Sequence, residues 1–175
     1  IVHACYFSNI YSGILAFHQR CKDLNKEYIA VLGNHDYYRV VLDNFQDNLI
    51  SQGIKLLTQN NSIEINGYTF VGGTLFTNFR HNRIGDCIQF DTNKKLAEDC
   101  VYDFLQIGYK EKLVGTNDYV TFFNTYYNNI NKYRNKDNVI VVTHFPPHVD
   151  CTAPAYLKSD LNPYFINDLD LQGFK

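Results

Sequence analysis

Two short segments carry residues suited to chemistry, and each follows directly on an apolar run. YIAVLGNHDYY leads into Gly33-Asn34-His35-Asp36, and VIVVTHFPPH delivers His144 and then His148. In α/β proteins, ligand sites gather at the carboxyl ends of strands, where side chains of successive loops converge. A glycine after the strand permits a sharp turn. Asn34 and His35 then offer a carbonyl oxygen and an imidazole, donors that suit a divalent metal such as Mn, Fe or Zn. The competing reading is a turn without chemistry, because Asn and Asp favour turns through local hydrogen bonds. The position of the tetrapeptide, at the end of a strand-like run, weighs toward a site.

The elements that position these residues are legible from periodicity. Apolar runs at 1–4 and 28–32 read as buried strands, and Ile14, Phe17 and Cys21 recur at helical spacing between them. Strand, helix and strand at this length predict a parallel βαβ unit. A helix is expected over 40–50, where Val41, Phe45 and Leu49 share a face. Asn66-Gly67 between two β-rich runs predicts a hairpin, because a type I′ turn needs positive φ twice. The stretch 78–118 is polar and irregular, with a weak helical pattern near 95–107. A helix over 118–133 is expected from the spacing of Val120, Phe123, Tyr127 and Ile130. The β-branched run 139–144 predicts a strand buried on both faces, stopped by Pro146 and Pro147. A last helix is expected from Pro163 to Gly173. No linker or repeat divides the chain, so residues 1–175 are read as one α/β domain.

Composition narrows the function classes. With 45% hydrophobic and 19% charged residues, the chain has the make-up of a folded domain. A formal charge of −2 and a pI near 6.3 give no electrostatic case for a dedicated nucleic-acid surface or an anionic membrane. Cys5, Cys21, Cys87, Cys100 and Cys151 form an odd set without a C-x-x-C pair, the pattern of free thiols in a cytoplasmic protein. The oligomeric state leaves no trace in the sequence.

GNHD at 33–36, together with VVTH at 141–144, resembles the calcineurin-like metallophosphoesterase superfamily. GGTLFTNF and the stretch from THFPPH to LNPYFINDLD extend the likeness over most of the chain, toward a bacterial Ser/Thr-phosphatase-like branch. The resemblance implies a two-sheet sandwich flanked by helices (αββα). It also implies two divalent metal ions at the strand ends and a metal-activated water that attacks a phosphomonoester or phosphodiester in line. Asn34 and His144 would ligate one metal. His35 would stabilise the phosphoryl group or protonate the leaving oxygen, a task that suits a group titrating near neutral pH. Asp36 joins it in the catalytic motif, as a turn-stabilising or outer-lying carboxylate. His148 is expected near the substrate or in a solvated loop.

The sequence also departs from that pattern. The family's Asp-x-His and Gly-His-x-His motifs are absent, so the domain is expected to be incomplete at both ends. Aligned without gaps, the segment that should carry the metal-bridging aspartate reads Cys5-Tyr6-Phe7-Ser8-Asn9. Tyr6 occupies the carboxylate's position, and Asn9 matches the residue that orients the catalytic histidine. A phenol is a poor replacement for a shared anion between two cations. Fewer than two metals and impaired hydrolysis are therefore expected. The alternative is a degenerate, non-catalytic member that keeps the fold and acts as a binding module. His3 is expected in the core and His18 on a helix surface, while His81 and Arg83 are candidates for a phosphate contact.

Overall fold

The alternation of side chains along 28–32 decides the architecture. In a computed structural model that describes residues 2–3, 10–80 and 87–174, Tyr28, Ala30 and Leu32 join one apolar cluster. Ile29 and Val31 join another, as the period of two along a strand requires. Strand β1 (Val2–His3) pairs in parallel with β2 (Ile29–Ala30) across helix α1 (Ile10–Asp23). The βαβ unit is thus present, with Ile14 and Cys21 of α1 buried. Helix α2 (Leu42–Ser51) buries Leu42, Phe45 and Leu49, and returns the chain to β3 (Lys55–Leu56), parallel to β2.

A second sheet begins with a hairpin of β4 (Ser62–Ile65) and β5 (Tyr68–Gly73). Asn66 and Gly67 have φ of 52° and 79°, the positive pair expected of that turn. After helices α3 (Cys87–Cys100) and α4 (Asp103–Gln106), a short hairpin forms from β6 (Gly108–Tyr109) and β7 (Lys112–Leu113). Helix α5 (Thr116–Asn131) then leads to β8 (Val139–Thr143), parallel to β5. Among the described residues the order is β1-β2-β3 in one sheet and β4-β5-β8 in the other. Ile29, Val31 and Leu57 of the first pack against Ile63, Ile65, Phe70 and Val142 of the second.

Four expectations are corrected. Residues 139–143 form a strand, but one on the edge of its sheet among the described residues, with Ile140 exposed. Its β-branched run serves the two faces unequally: Val139 and Val141 pack against the main core and Val142 against the inter-sheet cluster. The helix expected from Pro163 to Gly173 is the single turn α6 (Asn162–Phe165). Beyond it, the N–H groups of Asn167 and Leu169 donate to the carbonyls of Pro146 and Pro147, and this pairing draws the chain out of helical geometry. Helix α5 is rotated by about a residue from the expected face. Tyr119, Phe122, Phe123, Tyr126 and Ile130 are buried, while Val120 and Tyr127 are half-buried. His18 lies half-buried against Tyr28, with ring centroids 5.9 Å apart, and is not a surface residue.

The stretch 78–118 proves the most consequential. Phe79, Ala97, Phe104, Ile107 and Val114 all enter the main core. The helical pattern near 95–107 resolves into α3 and α4, separated at Val101-Tyr102. Aromatic rings fill the space below: Phe76 lies 4.3 Å from Tyr119 and 5.3 Å from Phe122, centroid to centroid. Tilted and edge-on ring pairs of this kind add roughly 0.5–1.5 kcal/mol each beyond the area they bury.

Candidate active site

The carboxyl ends of β2 and β8, one from each sheet, converge. Past β2 the chain turns through a 3₁₀ turn at Asn34–Tyr37, closed by the Asp36 carboxylate, whose Oδ2 accepts the Gly33 N–H at 2.7 Å. Past β8, the His144 and Phe145 N–H groups donate to the carbonyls of Gly73 and Thr74, which fixes the direction in which His144 leaves the sheet. The result is a direct contact: His144 Nε2 lies 3.0 Å from Asn34 Oδ1. Gly33 permits it. A Cβ at that position would sit 2.7 Å from His144 Cε1 and 3.0 Å from both ring nitrogens.

Asn34 has one orientation available. Its Nδ2 donates to both oxygens of Asp103, at 3.0 and 2.9 Å. An amide that faces a carboxylate must present its NH₂ there, leaving Oδ1 for the opposite side. Asp103 is itself a hub. Besides Asn34, it accepts the hydroxyls of Tyr38 at 2.6 Å, Tyr119 at 2.7 Å and Tyr164. It is buried, and a carboxylate at that depth requires this many donors. Burial together with the Asp103 charge holds the Tyr38, Tyr119 and Tyr164 hydroxyls well above the usual phenol range, so they stay protonated and donating. Sequence reasoning missed Asp103. It lies in an irregular stretch, and its partners come from three other regions of the chain.

The electrostatics favour a neutral His144. Burial, and secondly the neighbouring His35, lower its pKa, while Asp103 opposes them. A neutral imidazole is the state that ligates metals. His35 is exposed at the rim, its ring 4.7 Å from that of Tyr38. Asp36 is driven the other way: burial raises its pKa to about 6, partly offset by the Gly33 N–H. Its folded-state value thus lies above an ordinary carboxyl, so its share of stability is present below about pH 4 and lost as pH rises toward 6. The window corresponds to roughly 3 kcal/mol. Asp36→Asn should flatten the pH dependence of unfolding between about pH 4 and 6, and it should leave the protein about 1–3 kcal/mol more stable at pH 7.5. Denaturant titrations of the two proteins across that range check this.

The structure therefore brings together Asn34, His35, Asp36 and His144, which with Gly33 line one cleft. It places His148 elsewhere: His148 Nδ1 accepts the Asp150 N–H at 3.2 Å, and Nε2 lies 3.6 Å from Asp168 Oδ1. Tyr6, Asn9, Cys5, His81 and Arg83 lie outside the described residues, and of His3 only the backbone is described. Among the described residues no group of three or more His, Cys, Asp or Glu side chains is gathered to hold a metal ion. The Asn34–His144 pair nonetheless fits two donors of one cation. The Asn34 amide oxygen and the His144 ring nitrogen, 3.0 Å apart, are both donor types that such a cation would accept. Without a cation, two acceptors in such contact require a proton on Nε2.

Comparison of the chain with protein-family models, curated proteins and solved structures yields no match. Among the described residues no helix is long and apolar enough to cross a membrane. Cys21, Cys100 and Cys151 are free thiols.

Proposed function

We propose that this chain is part of a metal-dependent phosphoesterase with the two-sheet architecture of the calcineurin-like superfamily. The observation that carries the reading is the contact of Asn34 Oδ1 with His144 Nε2 across the ends of two sheets. Asn34 and His144 would hold a divalent cation, Mn, Fe or Zn. Such an ion supplies Lewis-acid polarisation of a phosphoryl oxygen and a more acidic water. Asp103 keeps the Asn34 amide turned so that its oxygen faces the cation position. His35, exposed at the rim, hydrogen-bonds the phosphoryl oxygen or delivers a proton to the leaving oxygen. Asp36 holds the turn that carries both. The free thiols suit a reducing cytoplasm.

One observation favours the second reading, a degenerate, non-catalytic binding module: the described residues add no His, Cys or carboxylate cluster to the pair. Hydrolysis of a generic phosphomonoester and a phosphodiester in the presence of Mn²⁺ separates the two. The phosphoesterase reading predicts slow turnover that EDTA lowers at least about tenfold and that added Mn²⁺ restores. Tyr6→Asp, which restores the carboxylate of the family pattern, is expected to raise it further. No turnover with Mn²⁺, Fe²⁺ or Zn²⁺ in either protein would leave only the binding module.

A further inference from the structure

The cleft that begins at Asn34, His35 and His144 is larger than a phosphate group needs. It encloses about 690 Å³, within the range of roughly 300–1,000 Å³ typical of sites for small organic ligands. Its far wall comes from 151–166, the segment after β8. There Tyr156, Leu161, Phe165 and Ile166 line the cleft. Tyr156 is 64% exposed and Phe165 46% exposed, apolar surface that gains by being covered.

Several polar groups of that wall make hydrogen bonds within their own loop. Thr152 Oγ1 donates to the Val149 carbonyl at 2.6 Å, and Asn162 Nδ2 donates to the Tyr156 carbonyl at 2.7 Å. Ser159 Oγ accepts the Leu161 N–H at 3.3 Å. No Lys or Arg is among the described residues lining the cleft. Among the described residues the wall is mainly apolar, which favours an apolar group there over a sugar or a second phosphate.

Resting on the phosphoesterase reading, we propose that the 151–166 wall binds the organic half of the substrate. The substrate class is then a phosphate ester of an apolar alcohol of aromatic size, with its single phosphoryl group at Asn34, His35 and His144. Tyr156 and Phe165 are the specificity residues, covering the organic group with their exposed rings.

Binding of benzylphosphonate and ethylphosphonate, which cannot be hydrolysed at the P–C bond, tests this by calorimetry on the Mn²⁺-loaded chain. Benzylphosphonate is expected to bind about tenfold more tightly or better, from the added buried apolar area. Tyr156→Ala should remove most of that preference by weakening benzylphosphonate binding far more than ethylphosphonate binding. Tyr156 is exposed enough that its truncation spares the fold, and Phe165→Leu gives a second, milder variant that should narrow the preference. Equal affinities, no binding of either phosphonate, or a preference that neither variant moves would overturn the proposal. Benzyl preference without hydrolysis of benzyl or ethyl phosphate would sink the phosphoesterase reading and leave the cleft assignment standing. Hydrolysis of both esters without a benzyl preference in binding would do the reverse.

Discussion

Asp103→Leu is expected to lower the unfolding free energy by roughly 3–5 kcal/mol, the cost of breaking a buried, hydrogen-bonded charge cluster from one side. Leu keeps the branched outline of Asp, with bulkier methyl groups in place of the oxygens, so the loss does not come from a cavity. It comes from donors left without an acceptor. Tyr119 and Tyr164 are buried, with hydroxyls that point at the missing carboxylate. Tyr38 and the Asn34 amide lose the same partner. Each orphaned buried donor costs about 1–3 kcal/mol, and relief from desolvating the carboxylate offsets part of the sum. For a chain of 175 residues, the thermal midpoint should fall by about 10 °C. A midpoint within about 2 °C of the parent protein would mean that the tyrosines find other partners, and that Asp103 does not hold this region together. Calorimetry on the two proteins measures it.

His144→Ala is expected to have a small effect on stability and a large one on turnover. The side chain is only half-buried, so its loss should cost about 1–2 kcal/mol of folding free energy. Hydrolysis should fall on the order of 10³-fold, because one of the two donors that would hold the cation is gone. Gly33→Ala provides the control for geometry. It keeps every donor but sets a methyl carbon 2.7 Å from His144 Cε1, so the ring must move away from Asn34 Oδ1. Its activity should lie between the parent and His144→Ala. Activity of His144→Ala within threefold of the parent would place the chemistry elsewhere in the molecule. Steady-state rates at fixed Mn²⁺, together with a stability measurement on each variant, distinguish these outcomes.

Local chemistry explains which parts of this structure were legible in the sequence. Asn66-Gly67 announces its hairpin because the turn's positive φ values limit the residues allowed, and the observed angles match. The βαβ start is legible for a similar reason: its strands and helix carry their own periods. The segments that carry Asn34 and His144 were legible as candidate site segments because each follows a strand, and strand ends converge in such folds; the pairing of these two residues is what the family resemblance implies. Asp103 was not recognisable. Its role exists only once positions 34, 38, 119 and 164 meet around it, and no local spacing reports that meeting. The segment after Pro163 failed differently. It has helix-like composition, but backbone pairing of Asn167 and Leu169 with Pro146 and Pro147 overrides the local preference. The face of α5 expected from Val120, Phe123, Tyr127 and Ile130 differs from the observed one because local spacing does not report the partner that Tyr119 meets. Tyr119 instead turns inward to reach Asp103, and the helix rotates with it.

The central claim is that Asn34 and His144 form one half of a divalent-cation site. Titration with Mn²⁺ while recording the NMR signals of the histidine rings and the Asn side-chain amides tests it most directly, because a paramagnetic ion broadens only what lies close to it. The account predicts that the His144 ring and the Asn34 amide broaden at the lowest Mn²⁺ ratios, that His35 follows, and that His18 and His148 stay sharp. It predicts that His144→Ala abolishes the broadening at Asn34. Broadening centred on another group, or a response at Asn34 that survives the loss of His144, would contradict it.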